Sequence, residues 1–374
     1  MRIAYLATAD ARGHLMRAQL LTHALQACGF KVQLLTTSDE GERFLAEFGL
    51  KASVLSRHYA VQFDAQQNML REETDANVAS YLFHPRKMLR DILKLRHIFR
   101  DNDLVLNDSF HPALLLMGCL PIYRRKVVHI YGASLRKALE SNFIGRVPSL
   151  FSGMFSRLVS LQIRRAKARL EHDFAYPLNV QIEGGVARIP TPVEVVRPQH
   201  PTSAIRLNQV AVYLNPHFCD KALAAALEKG ISDSGLSAYL TGEGMAGRPG
   251  WVAQDTDWVN RAVASSLIVS APGMAALSIA KIYDRPILLV LTDQPEQQRN
   301  AARALELGLR HKTVVWRGDS DAFTASVRSA CDALGANSGS HHQNGVCMDG
   351  YEQAAKRLDN WVEVITNLAQ SERL

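Results

Sequence analysis

The sequence predicts an α/β protein made of two doubly wound, Rossmann-like domains. Four observations carry this reading. Short apolar runs alternate with helical apolar stripes, the pattern of parallel strands joined by crossover helices. The alternation occurs as two successive series. Between them Pro190, Pro192, Pro198 and Pro201 crowd one short window, the composition of a linker. A chain of 374 residues is long enough to need two cores.

The elements follow in order. Ile3–Ala7 is a short apolar strand. From His14 to Cys28, apolar residues at Leu15, Ala18, Leu21, Leu25 and Cys28 mark one helical face, and Gly29 closes it. Val32–Thr36 is the next strand, completing a βαβ unit with a parallel pair. Leu104–Leu106 and Val127–Tyr131 read as further strands. Beyond a boundary placed near residue 205, strands are expected at Val210–Leu214, Ala238–Thr241, Leu267–Ser270, Ile287–Leu291 and Thr313–Trp316. Helical patterns lie at Lys221–Lys229, Met274–Tyr283 and Gln297–Leu307. Gly335–Gly345 is a Gly/Ser/Asn/His loop, and Tyr351–Leu368 a final helix. The expected domains are 1–195 and 205–350, with a C-terminal helical segment, 351–374, packing back on the first.

Apolar residues make up 47% of the chain, enough for real cores and too many for a disordered protein. Five cysteines without close spacing read as buried small residues in a reducing compartment, not a disulfide frame or zinc site. The N-terminal apolar stretch is too short for a signal peptide, and no run approaches 18 apolar residues. The expected location is therefore cytoplasmic. The net charge of +7 is uneven: residues 120–175 hold 11 Lys/Arg against three Asp/Glu, leaving the remainder near neutral. From Phe143 to Leu170 the basic residues interleave with apolar ones. Such a stretch is either a solvated core helix or a face for an anionic partner, and the inner surface of a membrane fits the second reading. No nucleic-acid motif accompanies it.

Two constellations stand at the carboxyl ends of expected strands, where parallel sheets hold ligands. The first is Arg12-Gly13-His14-Leu15-Met16-Arg17. Gly13 permits a close turn, and His14, opening the helix, can serve as a general base. Arg17, one turn on, can hold an anionic group. The plain alternative is that His14 is a first-turn residue of no chemical role. Asp108, after Leu104-Val105-Leu106, either orients His14 or caps the next helix. Asp10 is a second carboxylate in the first loop. The other constellation is Ser270-Ala271-Pro272-Gly273-Met274, a strand, a tight turn and a helix N-terminus, which suits a diphosphate. Glu296-Gln297 opens the following helix, where both side chains can meet hydroxyl groups.

Together these segments resemble the two halves of a GT-B glycosyltransferase. Gly273 and Pro286 stand 13 positions apart, as in the UDP-glycosyltransferase signature, and Glu296-Gln297…Asn300-Ala301 looks like its later element. Gly13-His14…Arg17…Leu21…Leu25…Gly29-Phe30 is similar to the family's N-terminal helix, in a form closer to the MurG-like branch. The resemblance implies two Rossmann-like domains facing across a cleft. It implies inverting transfer of a hexosyl or N-acetylhexosaminyl group from a nucleotide sugar, foremost a UDP-sugar, to a hydroxyl acceptor, lipid-linked or part of an envelope glycan. It implies no metal and no bound cofactor. His14 takes the base position, with Asp108 orienting it. Gly273, Met274, Ala275 and Ser278 line the donor phosphates and nucleoside, Glu296 and Gln297 hold the sugar, and Gly13 and Arg17 lie by the acceptor or phosphate. Two departures stand out. Ile279 occupies the position of the ribose-binding Glu, and Leu214-Asn215-Pro216-His217 replaces a glycine-rich loop. A nucleotide-sugar hydrolase of the same fold carries a similar Gly-His-x-Met-Arg segment, and a binding protein with a degenerate donor site is a third reading.

Three other patterns are decoys. Gly242-Glu243-Gly244-Met245-Ala246-Gly247 has dinucleotide-fingerprint spacing, but Arg248-Pro249-Gly250 follows where a helix is needed. Asp101-Asn102-Asp103 and Asp255-Thr256-Asp257 read as surface doublets. His341-His342 with Cys347 lacks a fixed ligand spacing.

Overall fold

The computed structural model describes residues 1–9, 12–56, 62–63, 69–70, 85–109, 111–133, 160–197, 206–292, 294–336 and 348–370. Asp10, most of the basic run from Phe143, the His341-His342 pair and Cys347 lie outside them. The chain forms two compact units. Unit 1 is Met1–Ala60, Thr74–Pro192 and Arg357–Leu374; unit 2 is Val61–Glu73 and Val193–Lys356.

The described strands are β1 (Arg2–Ala7), β2 (Lys31–Thr36), β3 (Ala52–Val54), β4 (Gln62–Phe63), β5 (Met69–Leu70), β6 (Leu104–Asp108), β7 (Val127–Gly132), β8 (Ala168–Asp173), β9 (Gln181–Glu183) and β10 (Val186–Pro190). After them come β11 (Arg206–Leu214), β12 (Ser237–Gly242), β13 (Trp251–Val252), β14 (Ser265–Ser270), β15 (Ile287–Leu291) and β16 (His311–Val315).

In unit 1 the sheet order is β3-β2-β1-β6-β7-β8-β10-β9, parallel except for the antiparallel edge strand β9. The central strands carry continuous apolar runs because both faces are covered: Ile3 through Ala7 are fully buried. One cover is helix α1 (Arg12–Ala27), which sets Leu15, Ala18, Leu21 and Leu25 on the sheet. Gly29, at φ 85°, ends it in the left-handed region that favours glycine. Helix α2 (Asp39–Glu47) starts at Ser38, whose hydroxyl accepts from Gly41 N, with Asp39, Glu40 and Glu42 in its first turn. The other face holds α3 (Pro85–Asp101), α4 (Pro112–Met117) and α5 (Pro121–Arg124). The strands β8 and β10, which extend the sheet, carry Arg169, Glu171 and Arg188 on partly exposed positions, and their alternation is not an apolar run.

In unit 2 the order is β13-β12-β11-β14-β15-β16, all parallel. Its helices are α6 (Lys221–Asp233), α7 (Trp258–Ala264), α8 (Met274–Ile282), α9 (Pro295–Glu306) and α10 (Ser320–Ala336). Asp220 caps α6 by accepting from Ala222 N and Leu223 N, and its second oxygen accepts from Trp316 Nε1 at 2.9 Å. The antiparallel pair β4–β5 falls within this unit's residues.

Helix α11 (Met348–Gln370) ends the described chain. Within unit 1 its Trp361 is fully buried and donates from Nε1 to Pro190 O, Arg357 donates to Thr191 O, and Val364, Ile365 and Leu368 join the core. Within unit 2, Tyr283 Oη donates to Glu194 O and accepts from Val196 N, which ties the segment after Pro192 to that unit. One sequence expectation needs correcting: Cys28 and Cys219 are exposed and Cys119 is partly so, because α1 ends at Ala27 and leaves Cys28 beyond the apolar face, and Cys219 stands in the loop before α6.

Candidate active site

In each sheet the strand order reverses beside its central strand, between β1 and β6 in unit 1 and between β11 and β14 in unit 2. Ligands of doubly wound sheets bind outside the carboxyl ends of strands at such switch points. Both sequence constellations sit there.

In unit 1, Asp108 is the last residue of β6, paired with Ala7 of β1, and is fully buried. His14, in the first turn of α1, places Nδ1 2.7 Å from Asp108 Oδ1. Arg17, one turn along, donates from Nε to Oδ2 at 2.8 Å and from Nη2 to Oδ1 at 2.6 Å. Tyr5 Oη donates to Oδ2 at 2.8 Å. One buried carboxylate therefore gathers three partners. Burial alone would raise its pKa, but the Arg17 charge and the His14 bond outweigh this and hold it well below the usual carboxylate range. Asp108 stays ionised. Burial would weaken the Arg17 charge, but Asp108 reinforces it. Burial and Asp108 both keep Tyr5 a neutral phenol.

This charge state decides the histidine tautomer. An ionised carboxylate only accepts, so Nδ1 of His14 carries a proton, and in the neutral imidazole the lone pair is then on Nε2. The Arg17 Nη2 contact with Nδ1, 3.0 Å, is then two donors converging on one oxygen. The His14 side chain is 27% exposed, while Arg17 is at 5% and Asp108 at 0%, so only the imidazole reaches the surface. Gly13 is exposed, and a Cβ there would meet nothing within 4 Å, which leaves the ground beside His14 open.

Arg17, at 5% exposure, turns Nε and Nη2 inward, so the anionic group it holds in this structure is the Asp108 carboxylate. Tyr5 was missed, although a phenol inside a fully buried aliphatic strand needs a partner, and that is a readable signal. His172 was also missed. It lies buried near this group, kept neutral first by burial and then by the Arg17 charge, with Nδ1 3.0 Å from Thr191 Oγ1. Three residues past Asp108, buried His111 caps α4, Nδ1 accepting from Ala113 N, and its Nε2 stands 3.1 Å from Ser56 Oγ. Burial holds its pKa down to about 3, so it is a neutral strut for this loop.

In unit 2, β14 is buried throughout and leads through Ala271-Pro272-Gly273 into α8. Gly273 is the N-cap, at φ −80° and ψ 152°, and no side chain caps the helix. Gly273, Met274 and Ala275 line its accessible start, and a Cβ on Gly273 would meet nothing within 4 Å. The first-turn N–H groups thus point outward without an intrahelical partner, at the positive end of the helix dipole. Asn300 Nδ2 donates to Pro272 O at 2.8 Å and fixes the turn. Gln297 is buried, and its Oε1 accepts from Thr292 N at 2.7 Å, so only its amide nitrogen remains to meet a ligand. Glu296 lies in the first turn of α9, and its side chain is outside the described set.

Ser278, expected to line the donor phosphates and nucleoside, does not reach the surface. It is fully buried, and its hydroxyl donates to Met274 O at 2.7 Å, so it presents nothing to a ligand. Ile279 is also buried, at 5% exposure. The glycine-rich decoy folds as a 3₁₀ turn, Glu243–Met245, and not a helix; Gly244 lies so close to the loop after β11 that a Cβ would stand 2.3 Å from Phe218 O. The acidic doublets are engaged locally: Asp103 accepts from Arg2 N, and Asp255 pairs with Arg261 at 2.8 Å. Among the described residues no cluster of three His, Cys, Asp or Glu is arranged to hold a metal.

No family model matches the chain, and no curated protein matches it. Solved structures do. CalG4, the calicheamicin glycosyltransferase, is similar at a TM-score of 0.60 and 15% identity, over 99% of this chain and 98% of that one. The glycosyltransferase VinC in complex with dTDP gives 0.59 at 14% identity, over 99% and 100%. The spinosyn forosaminyltransferase SpnP gives 0.58 at 14%, again over 99% and 100%. At such identities the likeness is one of fold, and with the two Rossmann-ordered sheets it places the chain in the GT-B fold.

Proposed function

We propose that this chain is a glycosyltransferase. It moves a hexosyl or N-acetylhexosaminyl group from a nucleoside-diphosphate sugar to a hydroxyl acceptor, with inversion. His14 Nε2 takes the proton of the acceptor hydroxyl. The acceptor oxygen bonds to the anomeric carbon as the bond from that carbon to the diphosphate oxygen breaks. The diphosphate leaves with the electron pair, and the N–H groups opening α8 offset its charge. One displacement at one face inverts the centre. Asp108 keeps His14 in the productive tautomer and stabilises the imidazolium as it forms.

The observation that carries this reading is the 2.7 Å bond from His14 to a carboxylate whose other partners keep it ionised. The glycosyltransferases of similar fold support the donor class, and one of them is described with dTDP. A UDP-sugar is the first donor to try, on the Gly273-to-Pro286 spacing, although Ile279 leaves the ribose without the expected carboxylate. The acceptor would be lipid-linked or part of an envelope glycan.

The test is nucleotide release from a panel of UDP- and dTDP-sugars, with and without hydroxyl acceptors. The expected result is acceptor-dependent release that falls by about 10²–10⁴ in His14→Ala. Release that ignores the acceptor would mark the hydrolase, with water in its place. Unchanged release in His14→Ala would overturn the mechanism.

A further inference from the structure

Helix α3 presents to solvent a face that the sugar chemistry does not use. Its inner side is fixed: Leu95, Ile98 and Phe99 are buried in the unit 1 core, and the Phe99 ring lies 4.8 Å from that of Tyr123 on α5. Its outer side carries Arg86, Lys87, Arg90, Arg96 and Arg100, all exposed. Among the described residues the carboxylate paired on this side is Asp101, with Arg100 at 3.1 Å. Amid the basic residues stand Leu89 and Leu93, one turn apart and 57% and 48% exposed. Beside Tyr123 on the packed neighbour, Ile122 is 78% exposed, with Arg125 exposed on the same short turn.

Single exposed leucines are ordinary. Two at helical spacing inside a ring of arginines, with an isoleucine on the neighbouring element, make an amphipathic interfacial surface. We infer that the α3–α5 face of unit 1 docks on an anionic lipid surface. The arginines meet the lipid phosphates, with their stems lying along the apolar boundary, and the leucines enter it. The helix runs about 25 Å, so it lies along the surface. A nucleic acid suits this face poorly, because bases stack on aromatic rings and the exposed apolar groups here are aliphatic. The inference is independent of the sugar-transfer reading.

Cosedimentation with phosphatidylcholine vesicles, with and without 30% phosphatidylglycerol, tests it. The full chain should pellet with the anionic vesicles at 50 mM NaCl and stay in solution with the neutral ones. Each basic residue removed should lower the partition coefficient roughly fivefold, so Arg86→Ser with Arg90→Ser costs about 25-fold. Leu89→Ser with Leu93→Ser should abolish whatever binding survives at 500 mM NaCl. All four positions face solvent, and unchanged thermal midpoints would confirm that the variants fold. No pelleting with anionic vesicles, or pelleting indifferent to both double variants, would overturn the inference. So would binding of duplex DNA, weakened by the arginine pair, by a chain that ignores vesicles.

Discussion

The two sheets share a strand order but not the chemistry at their switch points. At the ends of β1 and β6 the polar groups are side chains: Tyr5, His14 and Arg17 converge on one buried carboxylate. At the ends of β11 and β14 they are main-chain groups. Gly273 and the bare start of α8 offer N–H groups, and the nearby polar side chains of Asn300 and Gln297 are turned inward to hold the loops. A doubly wound topology thus decides where a site lies and leaves its chemistry open. A base needs a tuned side chain in one tautomer, whereas a diphosphate needs only several aligned dipoles.

The sharpest way to break this contrast is to remove the carboxylate. Asp108→Ala leaves the Arg17 cation buried without its counter-charge, which costs about 3–5 kcal/mol of unit 1 stability. It also frees His14 to take either tautomer. Urea unfolding should show the loss. A midpoint equal to that of the parent would mean that Arg17 finds water or another partner, and that the network is not what positions His14.

Acid separates the two units next. Burial holds His111 and His129, both in unit 1, to about 3, against an ordinary value near 6.5. Their unfolded forms take up protons first, so stability falls as pH drops below about 6.5, by about 2 kcal/mol for each at pH 5. Asp108 has a depressed carboxyl, so its contribution is full above about pH 4 and fades only below that. In unit 2 the sign reverses at Glu194. Burial, with Asp257 adding to it, pushes this carboxyl up to about 7, so its contribution is present at low pH and lost as pH rises towards 7. Hydrogen exchange at pH 5 and pH 7.5, corrected for intrinsic rates, should show unit 1 losing protection on acidification while unit 2 does not. Equal loss in both would remove the histidines as the cause.

The donor side is tested through its main chain. Met274→Pro sits at the first helical position, where proline is tolerated, and the extended Gly273 backbone suits a following proline. It removes one N–H together with the Met274 side chain, so Met274→Ala, which keeps the N–H, is the reference for its effect. If that group meets the diphosphate, affinity for UDP falls roughly tenfold or more, as expected for a hydrogen bond to a charged group, at an unchanged thermal midpoint of the free protein. Calorimetric titration measures it, and unaltered affinity would place the anion elsewhere.

What was readable in the sequence follows this division. Gly13-His14, Asp108 and Ala271-Pro272-Gly273 were legible because strand ends, glycine turns and helix starts are local signals, and each falls at a switch point. What Arg17, Ser278 and Ile279 do was not legible, because burial is set by segments far away in the chain. Arg17 turns inward to a residue 91 positions on. Ser278 and Ile279 differ by one position, yet both are inside, since α8 is covered on more than a single stripe. The basic face of α3 is hidden in composition, because the charges outside 120–175 sum to near neutrality although this one helix there holds six Lys/Arg.

Asn300 offers the smallest and most discriminating change. In the family pattern it belongs to a signature, yet here it touches no open surface; it is 5% exposed and holds Pro272 O. Asn300→Ala leaves that carbonyl without its donor, a loss of about 1 kcal/mol in unit 2 stability. The effect on ligand separates two roles. If Asn300 only fixes the turn, UDP affinity drops by a small factor and is recovered in Asn300→Asp only where the new carboxyl is protonated, because a carboxylate cannot donate to Pro272 O. If Asn300 touched the ligand, the loss would be large and would differ between donors with different sugars. Measuring UDP and UDP-sugars side by side decides it, since a turn that shapes the α8 start must weaken all of them by the same factor.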